Sequence, residues 1–416
     1  MRLAERFDNK THSYLLFVNS KSEFVLYAID VEDFEFKRVS GKLAKKSYVS
    51  DFSVVGDVAL IKQSSKKGNL LYSVNLKNRT VKRVNMTIPG YKPKQLRIKE
   101  IQVLDGVKKA FVYINATVKK QTTLYALRLD ENGVKEDLFT IKNKENNTIS
   151  NISASYISEG VYIYTGTYSP PEKRMADVGV FMCKTIDSKV DFIKFYKFLD
   201  FDNFLEYLSE KSQKKIEKKR GKKKKKGKDL KVSFQIAIHD IKVVDGQYIF
   251  LGESYYPTYR TETYTTTDAN GNTVTRTRQV FDGYQYTHAV LASFDEEGNK
   301  NWDNIVEMWP STKPFSVVRF INTSYSEDQI KMIYSSRSSI YSKSFYTDGE
   351  VAEDKNYGRI TTEESGDKVK RSYSDLDYWF DNYFIAYGAA KIKNKGSDKK
   401  KRGKRLVYFI NKISYE

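Results

Sequence analysis

The chain has 416 residues, 30% of them charged and 14% aromatic, with a formal net charge of +20. An apolar content of 40%, including 31 Tyr and 24 Phe, excludes wholesale disorder. A lone cysteine, Cys183, excludes an intrachain disulfide and any multi-cysteine zinc site, and only seven Pro exclude a proline-rich linker protein.

The N-terminal segment MRLAERFDNKTHSYLLF carries no long apolar run and does not read as a signal peptide. No stretch of 18 consecutive apolar residues occurs, so no membrane-spanning helix is expected. Read literally, the chain is cytoplasmic. Tyr- and Thr-rich strands without disulfides would equally suit a periplasmic or outer-membrane-associated protein whose leader is missing from this sequence.

Short alternating strands follow, separated by turn residues. One unit recurs: an apolar strand, a small turn, then a more charged strand. Its copies are LYAIDVEDFEFKRV (26–39), LYSVNLKNRTVKRV (71–84), LYALRLDENGVKEDLF (124–139), VFMCKTIDSKVDFIKF (180–195), AVLASFDEEGNKNWDNIV (289–306) and YSKSFYTDGEVAEDKNY (341–357). A seventh copy, VYFINKISYE (407–416), stops after one strand. A second strand pair precedes these copies, most clearly IAIHDIKVVDGQYIFLGES (236–254), where Val244-Asp245-Gly246-Gln247 makes the turn. A four-stranded antiparallel unit at this period is the signature of a β-propeller, because face-to-face packing around an axis buries both faces of every sheet. The expectation is an all-β single domain over 1–416, a propeller of four-stranded blades, with seven blades favoured and six possible. Residues 2–7 (RLAERF) are candidates for the missing strand of the last blade, which would close the ring but leave blade one a strand short.

The segment HAVLASFDEEGNKNWDNIV (288–306) resembles the outer half of a blade in bacterial β-propeller repeat proteins, on Asp295, Gly298, Asn299 and Trp302. The resemblance implies a fold and a scaffold habit and no chemistry. It departs from a sialidase-type Asp box, whose Gly and aromatic lie closer to the Asp.

Three insertions interrupt the pattern. Residues 200–231 bring a helix and a Lys-rich loop: Leu199, Phe204, Leu208 and Ile216 roughly keep helical spacing over 199–219, and the helix is expected to end at Gly221. Residues 256–287 alternate around Asp268-Ala-Asn-Gly271 and read as a hairpin polar on both faces, which should protrude. Residues 391–405 form a second Lys-rich loop. Residues 211–228 and 391–405 together carry nineteen of the twenty net charges, so the body is nearly neutral. Like-charge blocks repel themselves, which predicts mobile, solvated loops. In an antiparallel blade the connections between second and third strands, and from one blade to the next, leave from one end. All three insertions are such connections, which predicts one elaborated basic face.

On that face, Lys222, Lys223, Lys224, Lys225, Lys226, Lys399, Lys400, Lys401 and Arg402 are the candidates for polyanion binding by diffuse attraction. Tyr255, Tyr256, Tyr259, Tyr264, Arg276, Arg278, Tyr284 and Tyr286 are the candidates for holding a partner, against the alternative that the tyrosines pack the hairpin root. His239 and His288 would make a shared site only if the fold joined them, and Glu253, Asp282 and Asp303 are the carboxylates flanking the same blade. The run beginning at Asp268 resembles the start of a calcium loop, but Gln279 stands where the closing Glu belongs, so it reads as a turn. No nucleotide-binding or nucleophile-elbow motif occurs, and no cofactor or metal site is expected. The leading expectation is a non-enzymatic scaffold binding a protein partner or an anionic envelope surface. A glycan- or polyanion-binding module and a hydrolase with its site on the same face are the alternatives, and nucleic acid is a less favoured partner.

Overall fold

The computed structural model describes all residues except 120, 172–176, 268–269, 338, 360–367, 381–382, 395–402 and 415–416. Its strands form seven antiparallel sheets in chain order. Blade one is β1 (Arg2–Asp8), β2 (His12–Val18), β3 (Glu23–Asp30) and β4 (Phe36–Lys42). Blade two is β5 (Tyr48–Val55), β6 (Val58–Ser65), β7 (Gly68–Asn75) and β8 (Val81–Arg83). Blade three is β9 (Leu96–Leu104), β10 (Lys109–Val118), β11 (Gln121–Leu129) and β12 (Lys135–Thr140). Blade four is β13 (Thr148–Ser158), β14 (Val161–Ser169), β15 (Gly179–Ile186) and β16 (Lys189–Lys197). One helix, α1 (Glu210–Lys224), lies in the connection to blade five. That blade has its first strand split into β17 (Gln235–Ile238) and β18 (Lys242–Val244), followed by β19 (Gln247–Thr267), β20 (Thr273–Phe294) and β21 (Lys300–Glu307). Blade six is β22 (Asn322–Tyr325), β23 (Gln329–Ser336), β24 (Ser339–Tyr346) and β25 (Val351–Arg359). Blade seven has three strands, β26 (Lys368–Phe380), β27 (Tyr383–Asn394) and β28 (Gly403–Ser414).

Packing follows from the alternation. Strands such as β10 (KAFVYINATV) and β14 (VYIYTGTYS) are buried on both faces because a blade lies on each side. Six apolar clusters join blade one to two, two to three, and so on to six and seven. First strands of successive blades adjoin, including β1 with β5, β5 with β9, and β22 with β26, and so form the hub.

The blade-like motif is inter-blade fastening. Asp295 accepts the Asn299 N–H at 2.6 Å and its side-chain amide at 2.8 Å. Gly298 adopts φ +75°, and a Cβ there would stand 2.5 Å from Phe192 of blade four. Trp302 donates its indole N–H to Thr347 O of blade six at 2.9 Å.

Three expectations are corrected. The helix begins at Glu210, eleven residues later than its apolar spacing suggests, and runs through Gly221 into the Lys run. Leu199 and Phe204 are instead buried in turns ahead of it, where Phe204, with Phe198 and Phe201, anchors the insertion. α1 buries no residue; Lys, Glu and Gln propensity, an acid in its first turn and bases in its last sustain it. The first Lys run is therefore largely helical. The second is shortened from both sides, since Lys391 pairs with Leu406 and Lys393 with Lys404 in the ladder of β27 and β28. Residues 2–7 do not complete the last blade: β1 pairs with β2, because blade one needs it as its own inner strand.

Candidate functional site

The ribbon of β19 and β20 pairs from Tyr248 and Phe294 at the blade core out to Thr267 and Thr273, with bulges near Ser254 and Pro257. Its tip residues Asp268 and Ala269 lie outside the described residues. The candidate tyrosines divide. Tyr255, Tyr284 and Tyr286 make the root: their rings lie 5.1 Å (Tyr255 to Tyr284) and 5.4 Å (Tyr255 to Tyr286) apart, and Phe281, Phe315 and Phe320 extend the cluster. Tyr286 is fully buried, donating its hydroxyl to Val318 O at 2.6 Å and accepting the Val318 N–H at 2.9 Å. Burial pushes the Tyr255 phenol up to about 12. Tyr256, Tyr259 and Tyr264 are exposed. Arg278 donates to Glu262 and lies 5.6 Å from the Tyr264 ring, while Arg276 is exposed opposite Tyr264. The ribbon is thus a polar arm on an aromatic root.

Lys222, Lys223 and Lys224 occupy the last turn of α1, and Lys225 and Lys226 the turn after it; all are exposed. Arg220 reaches Asp200 at 3.5 Å, and Lys197 pairs with Asp229. Lys399, Lys400, Lys401 and Arg402 lie outside the described residues.

The structure does not bring His239 and His288 together. His288 is fully buried in a cage of rings, stacked on Tyr207 at 3.8 Å with Phe204 and Phe234 edge-on. Its Nδ1 meets Thr287 Oγ1 at 2.9 Å, and its Nε2 has no protein partner among the described residues. Burial depresses its pKa to about 3, so it is a neutral structural ring. The three carboxylates also separate. Asp303 caps the Asp202 and Asn203 N–H groups, each at 2.9 Å, and Asp282 meets Lys313 at 3.2 Å beneath the ribbon.

Glu253 alone joins a histidine. β17 ends at Ile238; the His239 N–H still donates to Leu251 O of β19 at 2.9 Å, and its Nε2 stands 2.7 Å from Glu253 Oε1. Glu253 is fully buried and accepts the Phe320 and Ile321 N–H groups at 2.9 Å. The His239 ring and two backbone N–H groups thus converge on one buried carboxyl group. His239 lines a cavity of about 460 Å³ between blades five, six and seven. Arg319, Arg337, Tyr373, Asp375 and Asp377 share its wall, with the 310–322 connection that packs under the ribbon root. Arg337 holds φ +59°, a left-handed conformation that costs a non-glycine residue energy at the cavity wall. A second polar group sits at the hub. Gln102 donates to Ser153 Oγ and Ala154 O at 3.0 Å and accepts the Tyr113 hydroxyl at 3.0 Å. Burial raises the carboxyls of Asp51, Glu100 and Asp177 and lowers Lys99.

The sequence signals for Arg319, Arg337, Tyr373 and the carboxylates beside it are nil, because they come from unrelated turns and strands. The interruption at His239-Asp240 within an otherwise regular strand is the one readable sign. Among the described residues no group of three or more His, Cys, Asp or Glu could hold a metal ion, and no helix is long and apolar enough to cross a membrane.

Seven radially packed sheets define the class: this is a seven-bladed β-propeller. No protein-family model and no curated protein sequence matches it. Among solved structures it is similar to the polysaccharide lyase Uly1, with 7% identity, 99% of this chain and 89% of that one covered, and a TM-score of 0.42. The β-propeller domain of the Trilobed protease from Pyrococcus furiosus gives 8% identity, coverage of 99% and 94%, and a TM-score of 0.41. An ulvan lyase bound to -[GlcA(1-4)Rha3S]- gives 7% identity, coverage of 92% and 88%, and a TM-score of 0.44.

Proposed function

We propose that the protein is a binding module for an acidic glycan, seated in the cavity beside His239. The observation that carries this reading is the fixed His239–Glu253 pair in a polar cavity that also exposes Arg319 and Arg337. Hydroxyl, carboxylate and guanidinium groups surround the space, a lining suited to a ligand rich in hydroxyls and carrying acids. Strand direction supports a common face. The turn at Ser335–Arg337 and the 310–322 connection leave their sheets from the same end as the ribbon and the α1 insertion. An acidic chain seated there would meet further positive charge on α1.

Titration calorimetry with polygalacturonate against neutral dextran tests the reading. The acidic polymer should bind and dextran should not. Replacing both Arg319 and Arg337 by Ala should weaken binding by about tenfold or more, the scale of one or two lost charge-assisted contacts. Equal binding of both polymers, or affinity unchanged in the double variant, would reject it.

A second reading, a protein scaffold, is favoured by one observation: Tyr256, Tyr259 and Tyr264 stand exposed on an arm whose root is rigidly packed. Exposed tyrosines on a fixed support suit protein recognition. Co-purification with a partner that is lost on deleting 259–281 would favour it, and an unchanged partner set would reject it.

A further inference from the structure

A cavity of about 1000 Å³ lies between blades one and two and shares no lining residue with the cavity beside His239. One wall is the start of β1 with the turn from β2 to β3. The other is the connection from β4 into β5 with the end of β6. Register aims both walls at the same space. Arg2 pairs with Val18, and Val18 alternates with Leu16 and Tyr14, which are buried against blade two. Opposite them Val49 pairs with Gln63, on the face of β6 that sends Ile61 and Ala59 into the same core.

The loops at the rim are tied down. Asn19 Oδ1 accepts the Lys21 and Glu23 N–H groups, each at 2.9 Å, and Ser22 O accepts the Leu43 N–H at 2.8 Å. Buried Gln63 accepts the Ala44 N–H at 3.0 Å and donates to Ala44 O at 3.3 Å. Charge around the cavity is of one sign. Arg2 and Lys46 are its charged side chains, and no carboxylate is among the lining residues. Neither cation has a carboxylate partner among the described residues, unlike Arg6 further along β1, which pairs with Asp8 at 2.6 Å. Two acids stand outside the lining. Glu23 accepts the Asn19 amide at 2.8 Å and meets Lys42 at 3.6 Å, and the Glu5 carboxyl is raised by burial and by Asp51. Ser20, Ser22 and Tyr48 add hydroxyls, whereas the Ser47 hydroxyl is committed to Ala44 O at 2.7 Å.

We infer that this cavity binds a small organic phosphate or sulfate monoester. Two cations beside one space, with no acid in its walls, favour an anion over a neutral or cationic ligand. Hydroxyls come from the turn at Ser20 and Ser22 on one wall and from Tyr48 on the other. Donors from several directions suit a tetrahedral group with three outward oxygens better than a planar carboxylate. The volume exceeds what a bare ion fills, and Leu3, Val18 and Val49 give the organic body of the ester an apolar surface.

Titration calorimetry on the full chain with glucose 6-phosphate, glucose 6-sulfate and glucose tests this. At least one ester should bind and glucose should not, and the tighter ester identifies the group the site takes. Arg2→Gln with Lys46→Gln should weaken that binding by about tenfold or more, with an unchanged urea midpoint because both side chains are exposed. Arg6→Gln removes a cation of the same strand outside the cavity and should leave the affinity as it was. Binding of neither ester, equal binding of glucose, or full affinity in the Arg2 and Lys46 double variant would overturn the inference. An equal loss in Arg6→Gln would reduce it to diffuse attraction and overturn it as well.

Discussion

His288 gives the sharpest quantitative test of how the α1 insertion is fastened. The ring is sealed among Tyr207, Phe204 and Phe234, and burial alone depresses its pKa from 6.5 to about 3. A group whose folded pKa lies below its unfolded one contributes stability that is fully present above the unfolded value. That contribution is lost as pH falls from 6.5 towards about 3. Each unit of separation is worth about 1.4 kcal/mol, so at about pH 4.5 the unprotonated ring costs the fold about 2.5 kcal/mol relative to neutral pH. His288→Phe keeps a ring against Tyr207 and removes the titration. Urea unfolding of both proteins at about pH 7.5 and about pH 4.5 isolates the effect as a difference of differences. The raised carboxyls of Asp51, Glu100 and Asp177 titrate in both proteins and cancel. The wild type should lose about 2.5 kcal/mol more than the variant on acidification. Equal losses would refute the sealed, neutral histidine.

Further outcomes follow from contacts elsewhere. Glu253→Gln replaces one carboxyl oxygen with an NH2 donor beside the Phe320 N–H, which faces both oxygens, and should destabilise the protein by about 2 kcal/mol in denaturant unfolding; it should also weaken polygalacturonate binding in calorimetry. Trp302→Phe loses the indole bond to Thr347 and should cost about 1 kcal/mol. Gly298→Ala meets both a left-handed backbone and the Phe192 ring, and should lower stability by about 1–3 kcal/mol in the same assay. Neutralising Lys222 to Lys226 with Gln should flatten the salt dependence of heparin retention while leaving unfolding unchanged, since all five side chains are exposed.

Much of the architecture was legible because it repeats. Strand pairs such as 71–84 and 236–254 announce themselves through alternation and a turn, and Asp245 and Gly246 take the positive φ that such a turn requires. Leu199 and Phe204 imitate helical spacing while serving another purpose, so the spacing points to a helix eleven residues ahead of its true start at Glu210. Phe204 anchors the insertion to blade five from a turn, Leu199 is buried in a 3-10 turn, and the helix itself needs no apolar stripe. The ribbon root and the exposed tyrosines beyond it look alike in sequence, since nothing in a run of alternating Tyr and Thr marks where a strand leaves the blade.

Composition by itself determined that the charge is local, and periodicity determined a propeller of repeating four-stranded blades. Both are properties of neighbouring residues, which the chain records directly. Tertiary structure decided the rest. It paired His239 with Glu253 and separated it from His288. It set Arg319 and Arg337 around the same cavity and gave residues 2–8 to blade one. Each of these depends on which blade lies beside which, and on how the chain turns between blades. Those relations are set by packing across sheets rather than by spacing along the chain.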